Sequence, residues 1–353
     1  MNKRKWLYTA TVAAAVIVLI TAVFFNRGTL AMLGFDWFLE GRIEKKLEPT
    51  YKPVEGREPV PVSMTEKKQD PFAVLLLGVD QRGNETGRSD TMIYTVVRPE
   101  DGELLMVSIP RDTYVEIAGK GYEDKITHAY AFGGAGMAMD TVGKLFDAPI
   151  HHYASINFEG FRKVIDKLGG ISLPIEEDMV NDDYDHEKFV IKAGQDTYNG
   201  RDTLNYVRYR EDAGGDMNRT ERHQIFLTQL MDKAKQMNQW SKIPDLIDIM
   251  GDNFSTDMRP QQLIDLGQSM LQANERQIYS HSLLGNGRRL KSGGAWVYFA
   301  DEEDLAKVQT MIKSWLDADT PAADLVLPDK YTVNKAKDVQ SLSSAETDTE
   351  EGR

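Results

Sequence analysis

Phe72–Leu77, FAVLLL, is an uninterrupted apolar run of strand length that stops at Gly78, and charged residues follow within two positions. A run this short and without polar interruption predicts a strand buried on both faces, so the chain must supply covering layers above and below it. Gly83, Asn84 and Gly87 supply turn chemistry for a loop that is expected to return through Arg88-Ser89-Asp90 into a second strand, Thr91–Val97. A third strand, Leu104–Ile109, ends at Pro110-Arg111-Asp112, where the proline stops strand pairing. Three strand ends then bring Asp80, Arg82, Arg88, Asp90 and Arg111 to one sheet edge, the usual place for a ligand crevice in an open α/β sheet. Asp80 and Asp90 are expected to face each other across it.

Two carboxylates held close disfavour one another's charge, and a divalent ion relieves the conflict. Mg²⁺, with Mn²⁺ as a substitute, suits one or two carboxylates plus phosphate oxygens. Arginines beside such a site match phosphate in a two-point contact. The alternative is salt bridging between neighbouring loops, which also gathers such residues.

Downstream, Asp124–Gly136 reads as a loop leading into a helix over Met137–Phe146, and Pro149–Asn157 as a strand. Phe158–Leu168 has apolar positions at helical spacing and stops at Gly169-Gly170. Ile171–Ile175, Gln277–Leu283 and Trp296–Phe299 read as strands; Asp245–Asp252, Pro260–Ala273 and Asp301–Ala318 read as helices, the last capped by Asp301. Strands alternating with helices predict the α/β class, a layered α-β-α domain with a central mixed sheet.

A second charged constellation spans Gly200–Gln224. Arg208 and Arg210 lie beside Tyr206 and Tyr209, and Asp216 is placed to start a helix over Asn218–Met237. Arg219, Arg222 and His223 then share one face near its N-terminus, where the helix dipole favours anions. A solvated face paired with Glu211, Asp212, Asp216 and Glu221 is the plainer alternative.

The ends of the chain bear on compartment. Lys3, Arg4 and Lys5 precede Trp6–Phe25, an uncharged apolar segment long enough to cross a hydrocarbon core of about 30 Å. The basic flank is expected to stay in the cytoplasm, giving a single-pass protein of the cell membrane with its domain outside. A signal peptide cleaved near Thr29-Leu30-Ala31 is the alternative. Phe35–Leu47 has the pattern of a short amphipathic helix, and four prolines between Glu48 and Asp70 predict a semi-rigid tether. The expected division is an anchor in 1–26, a juxtamembrane segment and linker in 27–70, the domain in 71–320 and a tail in 321–353, disordered from about 341 by its acidic, Ser- and Thr-rich composition.

Composition removes several classes of function. A net charge of -13 argues against nucleic acid as a partner, because affinity for it comes from basic surface. With no cysteine there is no disulfide framework, thiol nucleophile or thiolate metal ligand.

The blocks GVDQRGNETGRSDT (78–91), SIPRDTYVEI (108–117), KITHAYAFGG (125–134), NFEGFRKVIDKLGGI (157–171), GQDTYNGRDTLNYVRYR (194–210) and GDMNRTERHQ (215–224) resemble, in order and spacing, the signature of the LytR-CpsA-Psr family. The resemblance implies an α/β domain with a deep apolar pocket for a polyprenyl chain. It also implies an activity, transfer of a phosphoglycan such as teichoic acid from a polyprenyl-pyrophosphate-linked glycopolymer to a peptidoglycan acceptor by Mg-assisted phosphoryl transfer. By the same resemblance, Asp80 and Asp90 are the metal-associated acids, and Arg88 and Arg111 lie near the pyrophosphate with catalytic roles. Arg208, Arg210 and Arg219 make further phosphate contacts with Asp216 nearby, and Arg82 and Arg222 fall within the same blocks. His223 stands where the family has Gln. A pyrophosphatase, a non-catalytic receptor for lipid-linked glycans and a transcriptional attenuator are the other readings, the last disfavoured by charge and topology.

Overall fold

A computed structural model of the chain describes residues 40–57, 70–80, 87–182, 188–209, 222, 225–226, 228–230, 232–233, 249, 251, 253–272, 277–291 and 293–329. Residues up to Lys46 and those from Leu47 onward are separate units. The described residues of the first belong to a helix, α1 (Glu40–Leu47), whose final residue Leu47 is counted with the second; Lys45 and Lys46 lie in its last turn, where cations complement the helix dipole. Among the described residues no helix is long and apolar enough to cross a membrane; Trp6–Phe25 lies outside them, as does the acidic tail.

The second unit is built on a sheet whose strand order is β10-β3-β2-β1-β6-β9. Its members are β1 (Phe72–Asp80), β2 (Arg88–Arg98), β3 (Glu103–Ile109), β6 (His152–Asn157), β9 (Phe254–Thr256) and β10 (Gln277–Ser282). β1 runs antiparallel to β2 and parallel to β6, β3 antiparallel to β2 and parallel to β10, and β9 antiparallel to β6. The sheet is therefore mixed, as expected. The ends of β1, β3 and β6 and the start of β2 share one edge.

Alternation along β1 divides its apolar run between two layers. Ala73, Leu75, Leu77 and Val79 join the main core with Met92, Tyr94, Val96, Leu105 and Val107. That face is covered by α2 (Thr127–Phe146), through Ala138, Met139, Val142 and Phe146, and by α6 (Glu302–Leu316), through Val308, Met311, Ile312 and Trp315. Phe72 and Val74 point the other way and meet Val97, Met258 and residues Leu263 and Leu266 of α5 (Pro260–Gln272). A second cluster, including Ile165, Ile171, Leu204, Val207 and Phe226, lies under α3 (Phe158–Leu168) and α4 (Gly200–Arg208).

Local chemistry fixes the helix ends. Asn157 accepts from the Gly160 amide and Gly169 closes α3 at φ +84, a left-handed value that suits glycine. Asp301 accepts from the Glu303 and Asp304 amides at the start of α6. At its other end Arg98, 5 % exposed, donates to the carbonyls of Trp315, Asp317 and Thr320 while Asp101 holds its Nε.

Several elements depart from expectation. α2 begins at Thr127, ten residues before Met137, and is broken at Gly133 and Gly134. The strand expected from Pro149 begins at His152, because Pro149 and Ile150 only lead into the sheet. Ile171–Ile175 contributes one bridge, Ile171 to Tyr198, and no strand of the central sheet. Small hairpins pair β4 (Tyr114–Glu116) with β5 (Glu123–Lys125), β7 (Met179–Asn181) with β8 (Phe189–Ile191), and β11 (Gly285–Arg289) with β12 (Trp296–Ala300). Of the helices expected over Asn218–Met237 and Asp245–Asp252, most residues lie outside the described ones; those described, such as Arg222 and Phe226, are helical.

Packing also extends beyond 71–320 on both sides. Leu47 and Thr50 are buried, Lys52 donates to the Thr256 carbonyl at 2.7 Å, and Val54 packs on the main core. Past residue 320, Leu325 enters that core and the Trp315 indole donates to Val326.

Candidate functional site

The site is assembled where β1 ends and β2 begins. Asp80 pairs with Arg88 in the ladder, and the register then shifts between Val79–Ser89 and Gly78–Thr91, which makes Asp90 the extra residue of a β-bulge. Arg88, Ser89 and Asp90 are therefore strand, not loop, and Asp80 faces Arg88 across the ladder instead of Asp90. The close return depends on Gly87, where a Cβ would stand 2.5 Å from the Asp80 carbonyl oxygen.

Beside the bulge, the Arg111 guanidinium donates from Nη1 to Asp90 Oδ1. Its Nε lies 3.8 Å from Asp112 Oδ2, and Lys125 Nζ is 2.7 Å from the other Asp112 oxygen. Asp90 and Arg111 are only 21 % and 26 % exposed, so this pairing is poorly screened. Arg111 Nε and Ser89 Oγ are buried and have no hydrogen-bond partner among the described residues. The Nε is sealed in beside Asp112, so the rest of the guanidinium is the part open to a ligand.

Thr127 locks these parts together. Its amide donates to the Arg111 carbonyl at 3.1 Å and its hydroxyl to the Ser89 carbonyl at 2.8 Å. The start of α2 is thus stitched to both strands that carry the charged residues. One turn on, burial raises the Tyr130 phenol above its ordinary pKa despite a hydrogen bond with Ser155, so it stays protonated at neutral pH.

The second constellation arrives through α3. Asn157 pairs with Val79, so Phe158 opens α3 beside the end of β1. The Arg208 guanidinium, exposed at the end of α4, lies 4.5 Å from the centre of the Phe158 ring. Arg222 is placed differently: it is 7 % exposed, donates to the Tyr209 carbonyl at 2.6 Å and lies over the Tyr209 ring. Arg82, Arg210, Asp216, Arg219 and His223 lie outside the described residues.

The edge therefore gathers Asp80, Arg88, Asp90, Arg111 and, by way of Phe158, Arg208. Asp112, Lys125 and Thr127 were not singled out in the sequence, although SIPRDTYVEI and KITHAYAFGG contain them; only tertiary contact shows that they surround Arg111. Two cavities among the described residues lie elsewhere, one of about 300 Å³ beside His281 and Asp304 and one of about 160 Å³ beside Arg98 and Thr320.

A family model, the LytR_cpsA_psr family, matches residues 38–314. The chain belongs to the LytR-CpsA-Psr family. Among its relatives, the polyisoprenyl-teichoic acid--peptidoglycan teichoic acid transferase TagU of Bacillus subtilis (strain 168) is 34% identical over 285 residues, 80% of this chain and 90% of TagU. The crystal structure of B. subtilis TagV superposes with a TM-score of 0.61 at 29% identity, covering 71% of this chain and 98% of TagV. TagT bound to LI-WTA gives 0.62 at 28% identity, covering 75% and 99%. These likenesses to LytR-CpsA-Psr structures agree with the central mixed sheet found here.

Proposed function

We propose that this LytR-CpsA-Psr protein is a phosphotransferase that moves a phosphoglycan, teichoic acid or a similar anionic wall polymer, from a polyprenyl pyrophosphate carrier to peptidoglycan. The observation that carries the reading is Arg111. It is a guanidinium 26 % exposed, bonded through Nη1 to Asp90 and flanked by Asp112 at the strand-end edge, and the exposed part of its planar fork suits a pyrophosphate oxygen. Arg88 and Arg208 add positive charge at the same edge. The name of TagU and the ligand of TagT support the same substrate class.

Asp80 and Asp90 fit a hard divalent ion such as Mg²⁺ or Mn²⁺. They offer oxygen donors only, the chemistry that such an ion takes together with phosphate oxygens and water. When bound, such an ion neutralises charge on the phosphoryl oxygens.

In the transfer, a muramic-acid hydroxyl oxygen forms a new bond to the glycan-side phosphorus while the bond from that phosphorus to the lipid phosphate breaks. The hydroxyl proton passes to a carboxylate of the Asp80 and Asp90 pair, and polyprenyl phosphate leaves. Arginines holding the pyrophosphate position the phosphorus and offset its charge, which is most of what this kind of reaction asks of a protein. Lys3–Lys5 followed by Trp6–Phe25 support an outward-facing domain on a membrane anchor, where both substrates are found.

The test is transfer of a labelled polymer from a synthetic polyprenyl pyrophosphate donor to peptidoglycan, with and without excess chelator. Wild-type protein is expected to form a covalent polymer–peptidoglycan product, Asp80→Asn and Asp90→Asn to form none, and chelator to stop the reaction. Release of free polymer with no linkage to peptidoglycan overturns transfer in favour of hydrolysis, and an unchanged rate in chelator overturns the metal.

A further inference from the structure

The contacts that start at Arg111 continue past Asp112 and Lys125 to an exposed pair of aromatic rings. Asp124, next to Lys125, accepts from His128 Nδ1 at 2.8 Å. The His128 ring lies 5.8 Å from that of Phe132, and the Phe132 ring 6.5 Å from that of Tyr122, at 72°. Tyr122 is 48 % exposed and Phe132 42 %. Lys120 Nζ stands 5.3 Å from the centre of the Phe132 ring.

The exposure of both rings is set by the backbone. Gly119 and Gly121, at φ +73 and +70, shape the turn between β4 and β5 that leads to Tyr122. Gly134, at φ +63 and ψ -155, takes a conformation open essentially only to glycine and, with Gly133, breaks α2 just after Phe132. Glycine at these positions presents the rings to solvent at the cost of helix continuity.

We propose that Tyr122 and Phe132 form the acceptor subsite, a ledge on which sugar rings of the peptidoglycan glycan strand lie while a muramic-acid hydroxyl reaches the Asp90–Arg111 edge. The inference rests on the transferase reading above and adds to it the place where the acceptor binds. Pyranose rings present flat C–H faces to aromatic faces and hydroxyls to flanking polar groups, and this ledge offers two rings interleaved with Lys120, Asp124 and His128. Asp124 at the ledge is unfavourable next to an anionic lipid surface and serves as a hydroxyl acceptor for a sugar. A stable protein interface buries about 1,200–2,000 Å², far more than two side chains supply.

The test uses the full chain with a Tyr122→Ala, Phe132→Ala double variant and, as control, Phe132→Tyr. Binding of a soluble peptidoglycan tetrasaccharide is measured separately from binding of a polyprenyl pyrophosphate donor analogue. The double variant is expected to bind the tetrasaccharide about tenfold more weakly, the size two ring contacts supply, with donor affinity unchanged and Phe132→Tyr close to wild type. Unchanged tetrasaccharide affinity overturns the inference, as does a parallel loss of donor binding. Weaker partition of the double variant into phosphatidylglycerol vesicles, with the sugar affinity intact, assigns the surface to lipid and also overturns it. Wild-type protein that binds the tetrasaccharide at the ledge yet transfers nothing leaves this inference standing and sinks the transferase reading; transfer with an unaltered acceptor KM in the double variant does the reverse.

Discussion

Arg111 bonds to Asp90, the residue that bulges out of the ladder between β1 and β2, so the segment leaving β3 holds that bulge in place. Replacing Arg111 by lysine keeps the charge but loses the planar fork that can serve a carboxylate and a phosphate together. Arg111→Lys is predicted to lower kcat/KM by about 2–4 kcal/mol of transition-state stabilisation, by analogy with the loss of an oxyanion donor. Steady-state transfer kinetics check this, and a near-wild-type rate would remove Arg111 from direct phosphate contact.

Gly87 lets β2 approach the end of β1. Gly87→Ala places a methyl group 2.5 Å from the Asp80 carbonyl oxygen and 2.8 Å from a Val79 methyl, and backbone must move to admit it. The predicted outcome is a loss of roughly 1–3 kcal/mol in stability, with activity falling further than stability because Asp80 and Arg88 shift together. Denaturant unfolding beside a transfer assay separates the two effects.

Arg208 depends on the Phe158 ring for its position. Phe158→Leu keeps an apolar residue on the second core cluster but removes the π face, worth about 0.5–1 kcal/mol at an exposed site. Donor-analogue affinity should fall severalfold with little change in melting temperature; a variant that binds donor as wild type does would show Arg208 to be a bystander.

His151 gives the fold a pH dependence. The Ala73 amide donates to its Nδ1 at 2.9 Å, and burial, then His152 and Arg57, hold its pKa below the ordinary value of 6.5. Below that value the unfolded chain takes up a proton that the folded chain resists, so the unfolded state holds more protons and stability falls as pH drops. Melting curves between pH 7.5 and 5.5 should show this loss, reduced in His151→Asn, whose side-chain oxygen can accept from Ala73. Equal slopes in the two proteins would assign the acid sensitivity to other groups.

Arg98 closes the C-terminal end of α6. Arg98→Met leaves three carbonyls and Asp101 without its guanidinium, with a predicted cost of about 2–4 kcal/mol in unfolding free energy and no effect on donor binding. Chemical denaturation is the measurement, and a change below 1 kcal/mol would mean that water replaces the arginine freely.

What the sequence disclosed depended on how local the cause was. α3 falls on Phe158–Leu168 as its spacing predicts, because both Asn157 and Gly169 lie at its ends in the chain. β1 and β3 were legible for the same reason. The bulge at Asp90 was not, since register belongs to a pair of strands and no single strand encodes it. α4 was hidden because Tyr206 and Tyr209 draw its end into an aromatic and charged run, although Asn199 accepting from the Asp202 amide is an ordinary helix start. The early start of α2 was masked by Gly133 and Gly134, which read as loop and in fact interrupt a helix already begun. At the site, Asp80, Arg88, Asp90 and Arg111 stand at one sheet edge as the strand pattern implied, but Asp80 pairs with Arg88 and not with Asp90, and Thr127 reaches Arg111, and Lys125 reaches Asp112, only through the fold.

Tyr51 bridges Thr256 in parallel register, and the Tyr153 hydroxyl donates to the Lys52 carbonyl at 2.8 Å. A stretch that precedes the sheet in sequence thus covers part of the outer rim of β9, a three-residue strand that would otherwise offer bare backbone to a passing chain. A fragment begun at Pro71 would expose that rim and invite strand-to-strand aggregation, so a soluble version of the domain should retain the residues from Leu47 onward.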